Sequence, residues 1–337
     1  GGVRQTLRLP RGGQRAAHLR QRAGPLRIDA SGCRMQAIHV VRHLLECGRV
    51  PPLRAPVAQT RGERVDRNDG EPWIARAYPP ARPRSGVEGD AAILRFLERH
   101  DYPAERLAVD DAVSDFDGGV VLVTRFIEGA PLPAGADQFA MMGDLLGRLH
   151  ALPLDESVSR PGGADGQDPS REGSPRQDLL AALSFLDSVD TKVAAADRER
   201  FDQLRDQVRS ADDGSGLPEG LLHGNLLHAV SHAIVTERGP VTFNWMASGR
   251  GPRLADFAWL LWGTGAWSPR RPDPECLDAA VNAYRRHIEL THEELDRLEA
   301  VMYIRPLYLV GFGYRRAVIN GVEFNEWGFI EPPEYFS

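Results

Sequence analysis

Lysine is almost missing from this 337-residue chain: of 41 basic residues, only Lys192 is a lysine. Any grip on phosphate must therefore come from Arg, His or backbone N–H groups. Cysteine is scarce too. Cys33, Cys47 and Cys276 lie far apart, with no CxxC and no Cys/His spacing, which argues against a zinc site and a disulfide framework and fits a reducing, cytoplasmic setting. There is no excess of positive charge. The net charge is −6 and the pI near 6.0, so nothing overall draws the chain to nucleic acid. No apolar run approaches the roughly 18 residues of a membrane span, and the most apolar segment, Phe257 to Trp262, reads as buried helix. Internal repeats are absent as well. What is present is 42% apolar content, enough at this length for a full core divided between two lobes.

The first 34 residues are rich in Arg and Gly and read as a disordered leader, or as upstream sequence outside the working protein. They lack the apolar stretch that a targeting peptide needs. Ile38, Val41, Leu44 and Leu45 recur at helical spacing between Met35 and Cys47. Val57 to Val65 and Trp73 to Tyr78 flank the turn dipeptide Asp69-Gly70 and predict a hairpin. Val87 to His100 has helical period, and Val120 to Ile127 alternates as a strand that ends at Gly129. Helices are expected over Phe139 to Leu152 and Asp178 to Val189, separated by a Gly/Pro/Ser/Asp loop from Pro161 to Pro175. Thr291 and Glu294 have the spacing of a capping box before the run Leu295 to Met302.

The segment from Leu221 to Trp262, LLHGNLLHAVSHAIVTERGPVTFNWMASGRGPRLADFAWLLW, carries the chemistry. A strand-like LL enters a loop at His223-Gly224-Asn225; a hairpin follows through Ala233 to Val235 and Val241 to Phe243, leading to Asn244-Trp245; Gly249 to Pro252 turns; and a helix buries Phe257, Leu260 and Leu261. This layout resembles the HGD…(I/F)DW core of the aminoglycoside phosphotransferase family, choline kinase-like enzymes with a protein-kinase-like fold. The likeness runs from about Met35 to Trp262. It implies an α+β bilobal protein: a small lobe over 35–129 with an antiparallel sheet and a helix, and a larger, mainly helical lobe over 130–337.

The resemblance also assigns roles, and ATP as the cofactor. Asn225 stands where the family has the Asp that faces the acceptor hydroxyl, and His223 packs that loop from inside. Asn244 stands where the family Asp holds Mg²⁺, while Val230 or Ser231 falls where a second metal ligand would be. Arg76, on the strand Trp73 to Tyr78, would meet the α/β-phosphates and pair with Glu88, although spacing alone also suits an ordinary surface pair. Thr124, Arg125, Phe126 and Ile127 would hold adenine through backbone groups. Asp256 would bind the catalytic loop's backbone, with a plain helix N-cap as the bland alternative.

Both carboxylates are amides here. Asn cannot take up a proton near neutral pH, and Mg²⁺ prefers anionic oxygen, so Mg²⁺ binding is expected to be degraded. The leading expectation is a catalytically impaired relative that binds a nucleotide or small molecule, with room for a protein partner. The alternatives are an active ATP-dependent phosphotransferase on a hydroxyl of a small metabolite or aminoglycoside, and a decayed gene product. His228 and His232 could replace the base or simply be hydrogen-bonded. Asp273, Glu275, Glu323 and Glu326 could face a polycation or be solvated surface; Trp262, Trp267, Tyr308 and Trp327 could cage a quaternary amine.

Overall fold

The computed structural model describes residues 61–320 apart from 68–69, 79, 81, 117, 157, 159, 161–173, 226–231 and 265–272. The leader, the helix expected at Met35 to Cys47, the start of the strand at Val57, Asp69 of the turn, and most of the Pro161 to Pro175 loop lie outside the described residues. So do His228, Val230, Ser231, Trp267, Glu323, Glu326 and Trp327.

The chain opens with β1 (Arg61–Val65) and β2 (Trp73–Tyr78), the expected hairpin, in register Val65 to Trp73. After α1 (Arg84–Arg99) come β3 (Val113–Phe116) and β4 (Gly119–Arg125), and the four strands form an antiparallel sheet ordered β1-β2-β4-β3. Alternation sorts the two faces. Trp73, Ala75, Val121 and Val123 pack with Val65 on one side. Tyr78, Val120 and Leu122 meet the stripe Val87, Ala91, Leu94 of α1 on the other. That stripe has the i, i+4, i+7 spacing of an amphipathic helix.

The rest is mostly helical: β5 (Ala130–Pro131), α2 (Ala136–His150), α3 (Pro175–Asp187), α4 (Arg198–Ser210), β6 (Glu219–Leu222), β7 (Ala233–Thr236), β8 (Gly239–Thr242), β9 (Gly249–Pro252), α5 (Arg253–Gly263), α6 (Pro274–Tyr284), α7 (His292–Met302) and α8 (Ile304–Asn320). Helices α2 and α6 cross at glycine: a Cβ on Gly143 or Gly147 would run into the carbonyl oxygens of Ala280 and Tyr284, so only a bare backbone allows this approach. The capping box at Thr291 forms with both reciprocal bonds. Gly249 to Pro252 is not a turn. It is strand β9, paired with β6 from Leu222–Gly249 to Glu219–Pro252; its Gly and Pro residues hide a strand whose partner supplies the backbone bonds.

Two features bring the lobes together at one place. Residues 103–105, which follow α1, pair with β8: Glu105 N–H donates to Thr242 O at 2.8 Å and Thr242 N–H to Pro103 O at 2.9 Å. Next to it, β7 and β8 form a hairpin that delivers the chain to Asn244. Among the described residues, no helix is long and apolar enough to cross a membrane.

Candidate active site

Strand β6 leads directly into buried His223, and the next residue turns the chain. Gly224 has φ 76° and its missing Cβ leaves room for the Ala247 carbonyl, so any L side chain here would meet both strain and a clash. Asp256 fixes this turn. Its carboxylate accepts from His223 N–H at 2.6 Å and from Gly224 N–H at 3.1 Å. The N-cap alternative fails: Pro252 occupies the N-cap of α5, and Asp256 lies inside its first turn. Burial would push the Asp256 carboxyl up, but His150, His223 and the Gly224 amide outweigh it and hold it below the usual carboxylate range.

His223 is fully buried, with Nε2 3.2 Å from Phe243 O and its ring 4.6 Å from that of Trp245. These contacts place its ring between the loop and Trp245. Below it, His150 is buried with Nδ1 2.9 Å from the Tyr284 hydroxyl, while Nε2 stands 3.9 Å from Asp256 Oδ2, too far for a hydrogen bond. Burial lowers both imidazoles below their ordinary value, so the folded state binds fewer protons than the unfolded chain. The stability these residues give is complete above about pH 6.5 and is lost as pH falls below it; Asp256, also depressed, adds a loss of the same sign below about pH 4. Melting temperature should thus fall steadily below pH 6.5, and His150→Gln should flatten the pH 5–6.5 part of that decline. An unchanged profile in the variant would remove His150 from this account.

The two amides are tied into the protein with fixed orientation. Asn225 is 5% exposed and its Oδ1 accepts from Arg305 Nη2 at 3.0 Å. Guanidinium offers only donors, so the oxygen must face Arg305 and the NH₂ the other way. Asn244 sits at φ 68°, a region that Asn and Asp enter more readily than other non-glycine residues. Its Nδ2 lies 2.8 Å from His232 Nε2, and His232 Nδ1 lies 3.1 Å from the Asn225 carbonyl. A backbone carbonyl can only accept, so Nδ1 carries the proton and Nε2 accepts from Asn244. His232, weighed above as a replacement base, instead joins the two substituted positions, its lone pair used by the Asn244 amide.

Arg76 does not pair with Glu88. It donates to Glu105 Oε2 at 2.6 Å, and Glu105 Oε1 accepts from Asn244 N–H at 2.7 Å. Burial alone would lower the guanidinium pKa, but the charge and hydrogen bond of Glu105 raise it above its ordinary value. The reason for the correction is helix phase. Glu88 is exposed and bonds Arg84 one turn back at 2.7 Å, whereas the acid of α1 that points inward is Asp90. Arg82 holds Asp90 at 2.9 Å and Arg160 at 2.7 Å, all three largely buried. Arg160 also donates to Gly86 O, Trp245 O and Ser248 O. Asp90 and its two arginines thereby clamp α1 to the segment after Asn244. The one sequence signal for Asp90 was a charge on the apolar stripe of α1; Glu105 and Arg160 had none.

In the connecting segment, Thr124 is fully buried in β4, and the amides of Arg125 and Phe126 donate to Arg106 O and Pro72 O. Ile127 is left as the backbone amide without a partner among the described residues. The other candidates do not assemble. Asp273 caps α6 by accepting from Cys276 N–H and Glu275 is exposed beside it. Tyr308 packs on Phe185, and Trp262 stacks on Trp259 at 5.0 Å, so these two do not line an open cage.

Among the described residues, no three His, Cys, Asp or Glu side chains group to hold a metal ion. Asn244 and Asn225 supply neutral oxygen at most, and the nearby Glu105 has its charge matched by Arg76. This donor set does not fit Mg²⁺ well.

Comparison with known proteins agrees with the sequence resemblance. A family model described as "Phosphotransferase enzyme family" matches residues 54–299. No curated protein matches the chain. Among solved structures, the amicoumacin kinase hAmiN in complex with AMP-PNP, Ca²⁺ and Ami is similar over 85% of this chain and 90% of its own, at 14% identity and TM-score 0.57. A choline/ethanolamine kinase family protein from Mesorhizobium loti covers 88% and 96% at 16% identity and TM-score 0.53. The aminoglycoside phosphotransferase APH(3'')-Id from Streptomyces rimosus covers 81% and 99% at 18% identity and TM-score 0.51. The shared fold is the α+β, protein-kinase-like bilobal one expected from the sequence.

Proposed function

Because the chain belongs to the phosphotransferase enzyme family, we propose that it keeps the family's binding cleft for a nucleotide and a small molecule while transferring phosphate poorly. The observation that carries this reading is the state of the two amides. At the position of the family base, Asn225 has its only side-chain acceptor engaged by Arg305 and cannot take a proton from a hydroxyl. At the position of the metal ligand, Asn244 offers no charge and is bonded to His232. Phosphoryl transfer depends on positioning and on neutralising charge by metal ions and cations, and here the metal-binding half is weakened.

The adenine end would use backbone groups from Ile127 onward, and the phosphate end Arg76. Arg76 is already satisfied by Glu105, so the nucleotide gains less from it than from an uncommitted cation. A metal ion, where bound, would supply charge neutralisation at the transferred phosphate, and Asn244 and Asn225 would offer it only neutral oxygen. The hAmiN complex with AMP-PNP makes that analogue the natural probe. AMP-PNP is expected to raise the melting temperature by about 2–4 °C at several-fold excess over its dissociation constant, to the same extent with and without Mg²⁺, with ATP turnover at background. A second reading, an active phosphotransferase acting on a hydroxyl of a small metabolite or aminoglycoside, is favoured by the intact loop scaffold of Asp256, Gly224 and His223. Strong Mg²⁺-dependent stabilisation together with steady turnover would decide for it.

A further inference from the structure

One buried carboxylate holds both residues that stand at the phosphate end of the cleft. Glu105, its side chain 2% exposed, lies between Arg76 and Asn244. Its Oε2 accepts from Arg76 Nη2 at 2.6 Å and its Oε1 from the Asn244 N–H at 2.7 Å. The family resemblance gives Arg76 to the α/β-phosphates and puts Asn244 at the metal position, so an internal anion already occupies the junction of the two.

Among the described residues, the charges at this junction cancel. Arg76 and Glu105 offset each other, and Asn225 and Asn244 are neutral. His232 is the neutral tautomer, with Nδ1 donating to the Asn225 carbonyl and Nε2 accepting from the Asn244 amide. That last bond leaves the Asn244 carbonyl oxygen turned away from His232, an acceptor that suits a hydroxyl and repels a phosphate oxygen. Arg64 shares the sheet face of Arg76, since it pairs with Ile74 two residues along. It is bonded to Asp66 at 2.8 Å, however, and its guanidinium carbon lies 4.3 Å over Phe126, at the adenine end. Arg82 and Arg160 exceed Asp90 by one charge, but they donate to Asp90 and to the carbonyls of Gly86, Trp245 and Ser248. A triphosphate thus brings several negative charges to a neutral, partly buried site whose cation is shared with an acid, where like charges repel more strongly than in water. A nucleoside brings none.

We propose that Glu105 makes this cleft select nucleosides over nucleoside polyphosphates, its carboxylate competing with phosphate for Arg76. This rests on the nucleotide-binding reading above and narrows the ligand to a nucleoside carrying few or no phosphates. Glu105 acts through Arg76 and Asn244, as a residue that sets specificity.

The test titrates the full chain with adenosine, AMP and AMP-PNP by calorimetry, with and without Mg²⁺. In wild type, affinity should fall in that order, with AMP-PNP about tenfold weaker than adenosine. Raising sodium chloride from about 50 to about 500 mM should narrow the gap, because screening weakens repulsion; a site that attracts phosphate would lose AMP-PNP affinity instead. Glu105→Gln removes the competing charge and leaves Arg76 its own, so the ratio of AMP-PNP to adenosine affinity should rise about tenfold. Taking the ratio cancels any general loosening of the cleft, and the salt series on wild type serves if the variant does not fold. AMP-PNP binding as tightly as adenosine in wild type, a gap that widens with salt, or an unchanged ratio in Glu105→Gln would each overturn the proposal while the nucleotide-binding reading stands. If none of the three compounds binds, that reading falls and the proposal falls with it.

Discussion

Asn225→Asp combined with Asn244→Asp is expected to raise ATP turnover by about 10²–10⁴-fold over wild type, the range associated with a general base, and to make nucleotide stabilisation depend on Mg²⁺. The backbone permits the exchange. Asn244 occupies φ 68°, which Asp tolerates as readily as Asn, and Asn225 sits in a loop already fixed by Asp256. The two changes should not contribute alike. Asn244→Asp alone should bring most of the Mg²⁺ dependence, since it restores an anionic oxygen where the metal is needed. Asn225→Asp alone should do less, because Arg305 will hold the new carboxylate ionised and turned toward itself. A protonated His232 becomes the natural partner of an acid at 244, so the imidazole's titration should move upward in that variant, measurable by NMR. Should the double variant remain at background turnover while folding and binding AMP-PNP, the missing charges would not be what limits catalysis, and the impaired reading would need another cause.

Asp90→Ala should cost about 3 kcal/mol of unfolding free energy, toward the lower end for breaking a buried ion pair from one side. Removal of the carboxylate leaves Arg82, 4% exposed, and Arg160, 15% exposed, facing each other across an emptied site. Arg160 keeps backbone acceptors at Gly86, Trp245 and Ser248, which is why the loss should not reach 5 kcal/mol. Urea unfolding monitored by tryptophan fluorescence would measure it. A change under about 1 kcal/mol would mean that the cluster behaves like a surface pair and does not clamp α1 to the segment after Asn244.

These outcomes show how unevenly the sequence spoke. The loop His223-Gly224-Asn225, the hairpin β7–β8 and helix α5 were legible because each rests on local pattern: a strand end, a turn glycine, an apolar period. Asp256 was expected at the loop backbone through the family resemblance alone, and in the structure its carboxylate accepts from the His223 and Gly224 amides. The sheet was legible in β2 and β4, where β-branched and aromatic residues recur, while β1, RGERV, was read from the turn dipeptide that follows it. Strand β9 was not, since Gly249-Arg250-Gly251-Pro252 carries no strand preference and exists as one through its partner β6. Helix α4 passed unremarked, its sequence RERFDQLRDQVRS burying only Phe201, Leu204 and Val208. Contacts across long separations were the least accessible. Arg305 meets Asn225 from 80 residues away, and Arg160 meets Asp90 through the fold alone. Arg76 and Glu88 suited each other by type and distance along the chain, but one position's rotation on α1 decides which acid looks inward.

The main-chain pairing of residues 103–105 with β8 has a mechanical meaning. Because Thr242 accepts from the Glu105 amide and donates to the Pro103 carbonyl, and Glu105 also grips Asn244 and Arg76, the hairpin leading to Asn244 is riveted to the segment after α1. Any displacement of this hairpin must carry residues 103–105 with it or break those bonds. The amides of Glu105 and Thr242 should accordingly be among the last to trade their hydrogens with solvent.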